Sequence, residues 1–178
     1  QDFFNDTYLT DQNACTSPQL VVWRGTAIAA AKARFWAALH PLLLHRYRLQ
    51  PEQVVGKRAA VCRLAEAMGG QLEPAVDNFI TRVRVSRLDE NLMDFKHHGG
   101  LFLEYTLNRM EDILPLCTVR CQTISCLGLD PQEIAECLQR HAPRGGDRIV
   151  PVGKTMDFSL VWDGHDLMRT LSRAIALT

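Results

Sequence analysis

The sequence lacks an apolar run of the roughly 20 residues that a membrane-spanning helix needs. Its longest candidate, Ala27 to Leu44, is interrupted by Lys32, Arg34 and His40. It lacks the mark of a secretory leader, because its first residues are polar and aromatic rather than basic and then apolar. It has no excess of either charge, with 20 Lys and Arg against 20 Asp and Glu, so nothing directs it to nucleic acid or to an anionic membrane surface. There is no C-x-x-C pair, no internal repeat and no low-complexity tract. Neither G-x-G-x-x-G nor G-x-x-x-x-G-K-[ST] occurs, so no phosphate-cradling loop is written into the chain. These absences argue against a membrane span, a nucleic-acid partner and a self-contained nucleotide-binding domain. They leave a cytoplasmic protein as the expectation, and the opening Gln1 in place of Met suggests a piece of a longer chain.

What is present suits one domain. The chain has 178 residues, 47% hydrophobic and 22% charged, enough for a sizeable core under a charged surface. A short helix is expected over Asp2 to Tyr8, followed by a tight loop from Asp11 to Pro18. Gln19 to Trp23 is apolar and β-branched and reads as a strand. Ile28, Ala31, Phe35, Ala38 and Leu42 recur at helical spacing and predict a long helix from Thr26 to about Tyr47. Pro51 opens a second helix that ends at Met68 before Gly69-Gly70.

From Asn78 the period changes. Ile80, Val83 and Val85 alternate with polar residues and predict a strand. Further strands are expected over Leu101 to Leu107, Cys121 to Leu127 and Arg148 to Val152, with a helical turn from Met110 to Leu114. Asp130-Pro131-Gln132-Glu133 is a helix start, a capping acid followed by Pro at the first helical position, and that helix runs to about His141. A terminal helix is expected from Asp166 to Leu177. The alternation predicts a three-layer α/β fold with a mostly parallel sheet flanked by helices.

Six cysteines without a secretory feature read as thiols rather than as a disulfide framework. Cys62 shares a helix face with Val55 and Ala59, and Cys137 lies beside Ile134 and Leu138. Cys121 and Cys126 lie in or beside an apolar strand, so all four read as small buried hydrophobes. Cys15 differs. It sits in a polar loop between Asn13 and Thr16-Ser17, where Pro18 stops helix growth, and a thiol exposed there can ionise and attack. Zinc is the alternative use for Cys117, Cys121, Cys126, Cys137 and His141, but their spacing spreads them over a turn, a strand and a helix. The glycine pairs at 69–70, 99–100 and 145–146 read as turns, and His97-His98 is either a functional pair or, as the default, a pair of exposed loop histidines.

The segment Asp11-Gln-Asn-Ala-Cys15-Thr-Ser-Pro-Gln19 resembles the catalytic-cysteine segment of LuxC-type long-chain acyl-CoA reductases, a branch of the aldehyde dehydrogenase superfamily. Gly146-Asp-Arg-Ile-Val-Pro-Val-Gly153 and Trp162-Asp-Gly-His-Asp-Leu-Met-Arg-Thr-Leu-Ser-Arg173 resemble the closing segment of that family. Cys121-Gln122-Thr123 and Gly128 resemble the strand and turn before its penultimate helix. The three segments occur in the family's order and span the chain nearly end to end.

The resemblance implies an aldehyde dehydrogenase-like catalytic domain over residues 1–178, with most of the dinucleotide-binding domain outside this sequence. It implies that Cys15 attacks a long-chain acyl thioester, that the cysteine's own backbone N–H helps to hold the oxyanion, and that NADPH reduces the acyl-cysteine to a fatty aldehyde. Asn13 is a second candidate, either assisting the oxyanion or capping its own turn. Trp162, Asp163 and His165 either face the cleft or form a buried Trp with an Asp-Gly turn. The implied partners are acyl-CoA or an acyl-protein, an acyl-protein synthetase and further copies of the chain, and the expectation is that this piece alone does not oxidise NADPH. Gly99 to Tyr105 falls where ordinary aldehyde dehydrogenases carry an acidic-x-Phe-Gly-Pro segment, but lacks its acid and proline, so no cofactor contact is assigned there. The competing readings are an oxidative aldehyde dehydrogenase and a non-catalytic assembly domain.

Overall fold

The computed structural model describes residues 1–176. Its central sheet has four strands in the order β1-β4-β3-β2. β1 (Leu20–Trp23), β3 (Thr81–Arg84) and β4 (Leu101–Thr106) run parallel, and β2 (Gln71–Leu72) is antiparallel to β3. Leu20 pairs with Leu103 and Thr81 with Leu101, which puts β4 at the centre and β1 at one edge.

Side chains alternate across this sheet, so each face buries its own core. On one side Ile80 and Phe102, with Val21 and Trp23, meet Phe3, Phe4 and Tyr8 of the N-terminal segment and Trp36, Leu39 and Leu43 of α2 (Ile28–Arg46). On the other side Val83, Val85, Leu101 and Leu103 meet Ala60, Val61 and Leu64 of α3 (Pro51–Met68). The N-terminal segment is α1 (Asp2–Thr7) and a short 3-10 turn (Tyr8–Thr10). The expected arrangement of a mostly parallel sheet between helices is therefore present.

The sheet is smaller than the sequence suggests. β5 (Thr123–Cys126) and β6 (Arg148–Pro151) are parallel, but they pair only with each other and form a separate two-stranded sheet. They pack with α4 (Pro131–His141) and the 3-10 segment Met110–Leu116 around Ile113, Cys117, Ile134 and Leu138, a third core that Val22 of β1 also joins. Asp130 caps α4 as expected, its carboxylate accepting from Gln132 N at 2.9 Å.

Two helix faces differ from expectation. In α2 the buried stripe is Trp36, Leu39 and Leu43, one residue on from Phe35, Ala38 and Leu42, so that the indole and two leucines take the core. In α3 the buried face is Gln53, Lys57, Ala60, Val61 and Leu64, while Val55, Ala59 and Cys62 face solvent. The polar Gln53 and Lys57 are inside because they serve the loops described below. At the C-terminus, β7 (Val161–Trp162) and β8 (His165–Asp166) form a hairpin about Asp163-Gly164, and α5 covers only Leu167–Leu171. Ser172 already has an extended backbone, so the long terminal helix is absent over 172–176, and Leu177 of the expected helix lies outside the described residues.

Candidate functional site

Cys15 lies in the loop between the N-terminal 3-10 turn and edge strand β1, and it is exposed. The chain enters this loop through left-handed backbone at Asp11 (φ 52°) and Gln12 (φ 55°). Such a backbone is strained for a glutamine and persists only where its surroundings impose it. Gln12 is buried, and its amide supplies that constraint. The Gln12 Nε2 group donates to Pro18 O and Leu101 O, both at 3.1 Å, and its Oε1 accepts from Gly100 N at 2.7 Å. One side chain thus ties the far end of the loop to the start of β4. Gln19 Nε2 donates back to Gln12 O at 3.0 Å, and the Thr10 and Ser17 hydroxyls meet at 3.1 Å.

Within this frame Asn13 N donates to Thr10 O (2.9 Å) and Ser17 N to Ala14 O (3.0 Å). The backbone N–H groups of Ala14, Cys15 and Thr16 have no acceptor among the described residues. The exposed thiol therefore lies on a stretch of three successive backbone N–H groups that make no intramolecular hydrogen bond among the described residues. Asn13 is exposed, and its side chain forms no hydrogen bond among the described residues, so Gln12 rather than Asn13 shapes the turn.

A second layer of polar groups lies beneath. The Asp11 carboxylate accepts from the Tyr47 hydroxyl, from Gln53 Nε2 and from His98 Nδ1 at 3.1 Å. A carboxylate only accepts, which fixes the proton of His98 on Nδ1. Burial raises the Tyr47 phenol, and its bond to Asp11 adds to the effect. His97 stacks on His98 with ring centres 4.3 Å apart, and both rings are half-buried, which corrects the reading of an exposed pair. Lys57 donates to the Asn78 and Gly99 carbonyls, and burial lowers its ammonium to about 8. Gly100 (φ 84°) has no room for a side chain, because a Cβ would come within 2.1 Å of Phe79 O and 2.5 Å of the Tyr8 hydroxyl.

The other cysteines divide by burial. Cys117 and Cys137 are buried in the third core, and burial pushes Cys117 up to about 12 and raises Cys137 and Cys121 as well. Cys126 is half-buried against the same core. Cys62 is exposed, which overturns its reading as a packed residue and leaves it as the thiol that competes with Cys15 for reagents. His141 Nδ1 donates to Cys137 O at 2.9 Å, and no group of three or more His, Cys, Asp or Glu placed for a metal is found among the described residues.

Two further features escaped sequence reasoning. Glu104, in the middle of β4, is fully buried and accepts from Trp36 Nε1 (2.7 Å), Trp23 Nε1 (3.2 Å) and Lys32 Nζ (3.2 Å). With Arg82 at 3.9 Å this carboxylate is fully partnered, and it locks β1, β4 and α2 together. The segment after β6 reaches the Cys15 loop, where Thr16 Oγ1 donates to Met156 Sδ at 3.2 Å. Trp162 is held by Arg148, whose guanidinium lies 4.4 Å from the ring centre, while His165 is exposed and Asp163 (φ 50°) forms the hairpin turn. A scan against protein-family models matched none, and a search of curated proteins found no matching sequence.

Proposed function

We propose that the chain is an acyl-transfer domain of the LuxC type, in which Cys15 accepts a long-chain acyl group from a thioester. The observation that carries this reading is the exposed Cys15 thiol on the stretch Ala14 to Thr16, whose N–H groups have no acceptor among the described residues, in a turn whose shape is imposed by the Gln12 amide. The resemblance of the Asp11 to Gln19 segment supplies the substrate class, and the parallel sheet between helices supports an aldehyde dehydrogenase-like catalytic fold.

In the proposed step the Cys15 thiolate attacks the carbonyl carbon of an acyl-CoA or acyl-protein and a new S–C bond forms. The carbonyl π pair moves onto oxygen, where the free amide N–H groups stabilise it. The pair returns, the bond to the departing thiol breaks, and that thiolate leaves and takes up the proton that Cys15 lost. The products are acyl-Cys15 and a free thiol. Neither G-x-G-x-x-G nor G-x-x-x-x-G-K-[ST] occurs in the sequence to cradle a dinucleotide. The β1–α2 connection carries only Gly25, so the NADPH-dependent reduction to a fatty aldehyde remains the second half of the proposed activity without residues assigned to it. An acyl-protein synthetase as donor and self-association belong to the same proposal.

The test is protection. Limiting iodoacetamide is expected to label Cys15 ahead of Cys62, and prior incubation with a long-chain acyl-CoA is expected to slow labelling at Cys15 while Cys62 is unaffected. Equal protection of both thiols, or faster labelling of Cys62 in the free protein, would contradict the assignment.

A further inference from the structure

A long acyl chain needs an apolar surface that begins where its carbonyl is held. The segment after β6 provides one, against ordinary expectation for a surface. Met156 is 49% exposed, Phe158 71% and Leu160 58%, so three large apolar side chains stand in water within five residues. Their backbone is not loose. The buried Asp6 carboxylate accepts from Gly153 N at 2.6 Å and Thr155 N at 3.3 Å, tying the segment to α1. The Arg148 guanidinium donates to the carbonyls of Thr155 (2.8 Å), Lys154 (3.0 Å) and Asp157 (2.6 Å) and covers Trp162, which stacks on Phe158 with ring centres 5.5 Å apart. A buried acid and an arginine thus hold an apolar strip outward in a defined shape. The strip starts at the nucleophile loop, since Met156 is bonded to Thr16, the residue after Cys15.

We infer that this strip is the acyl-chain platform, with Met156 receiving the first methylenes beyond the carbonyl on Cys15 and the Phe158–Trp162 pair receiving the more distal ones. The inference rests on the proposal that Cys15 carries the acyl group, and it adds which residues make long chains preferred over short ones. The occupant is an acyl chain because the strip begins at the acceptor loop, and the polar side chains within it are engaged locally, Asp157 by Lys154 at 2.9 Å and the Ser159 hydroxyl by the Val161 carbonyl at 2.5 Å.

The experiment compares the rate of acyl-mass gain from acetyl-CoA and from dodecanoyl-CoA in the intact chain and in Met156→Ser, Phe158→Ser and Val76→Ser. Val76 is 92% exposed and follows the β2 edge of the sheet, opposite β1, so it controls for loss of surface apolarity alone. Dodecanoyl transfer is expected to fall on the order of tenfold in the Met156 and Phe158 variants, the effect of one or two methylenes losing their apolar contact. Acetyl transfer is expected to be unchanged in Phe158→Ser, whose side chain lies beyond the reach of a two-carbon acyl group, and the Val76 variant is expected to match the parent with both donors. Equal loss of both rates would overturn the inference by making the strip a support of the loop. An unchanged ratio would overturn it too, and a change in sedimentation with that unchanged ratio would make the strip a contact between copies. Absence of transfer from either donor to the parent chain would instead remove the acyl-carrier reading beneath it.

Discussion

Replacing Gln12 by alanine removes one amide and leaves Gly100 N–H, Leu101 O and Pro18 O to find other partners at the base of the Cys15 loop. Each buried polar group left unpaired costs roughly 1–3 kcal/mol, so Gln12→Ala is expected to lower stability by about 2–4 kcal/mol in urea unfolding. It should also change the alkylation rate of Cys15 while that of Cys62 stays fixed, because only the first depends on the turn. A loss below about 0.5 kcal/mol, the range of ordinary surface substitutions, would show that the amide is not the constraint. Cys15 as an exposed loop thiol could be read from its polar neighbours and from Pro18. Gln12 could not, because its three partners are backbone groups, two of them some ninety residues away, at Gly100 and Leu101. The same holds for Asp11 and His98, whose meeting depends on how β4 is placed beside the N-terminal turn.

Among the elements, α4 is the one whose start is written most fully into local sequence. Asp130 accepts from Gln132 N, and Pro131 occupies the first helical position. Asp130→Ala is expected to cost about 1 kcal/mol by thermal or urea unfolding, and an unchanged midpoint would show that the cap is idle. α3 shows the opposite case. Its ends follow from Pro51 and from Gly69, whose left-handed backbone (φ 68°) closes the helix. Its buried face departs from the hydrophobic pattern, which favours Val55, Ala59 and Cys62 and gives no reason to bury Gln53 and Lys57. Those two are inside because Gln53 binds Asp11 and Lys57 binds the carbonyls that precede β3 and β4. In α2 apolar residues surround the axis so fully that two adjacent stripes compete, and the bulk of Trp36 decides between them.

At the scale of the whole molecule, β1, β3, β4, β5 and β6 are legible as apolar or alternating runs, whereas the short β2, β7 and β8 and the division into one four-stranded and two two-stranded sheets are not, because strand pairing is a long-range choice. Buried titratable groups predict how the fold responds to alkali. Cys117 rises from its ordinary 9.0 to about 12, and Cys121, Cys137, Tyr8 and Tyr47 are also raised, each mainly by burial. A group raised in the folded state contributes stability that is complete below its unfolded value and is lost as pH climbs toward its folded one. Lys57, lowered from 10.5 to about 8, acts the other way and adds stability as pH rises between those values. Five groups oppose one, so stability is expected to fall from about pH 9 upward. In Cys117→Ala the urea midpoint should fall less steeply between about pH 9 and 12 than in the parent. Parallel profiles would mean that the thiol does not titrate with unfolding.

The proposed activity comes down to one covalent bond, between the Cys15 sulfur and an acyl carbon. The direct measurement is site-resolved mass spectrometry of the chain after incubation with a long-chain acyl-CoA, run beside Cys15→Ser and Cys62→Ser. The predicted result is one acyl group per chain, on the peptide that contains Cys15, retained in Cys62→Ser and absent from Cys15→Ser. An acyl group on Cys62, or an undiminished acyl mass in Cys15→Ser, would contradict it.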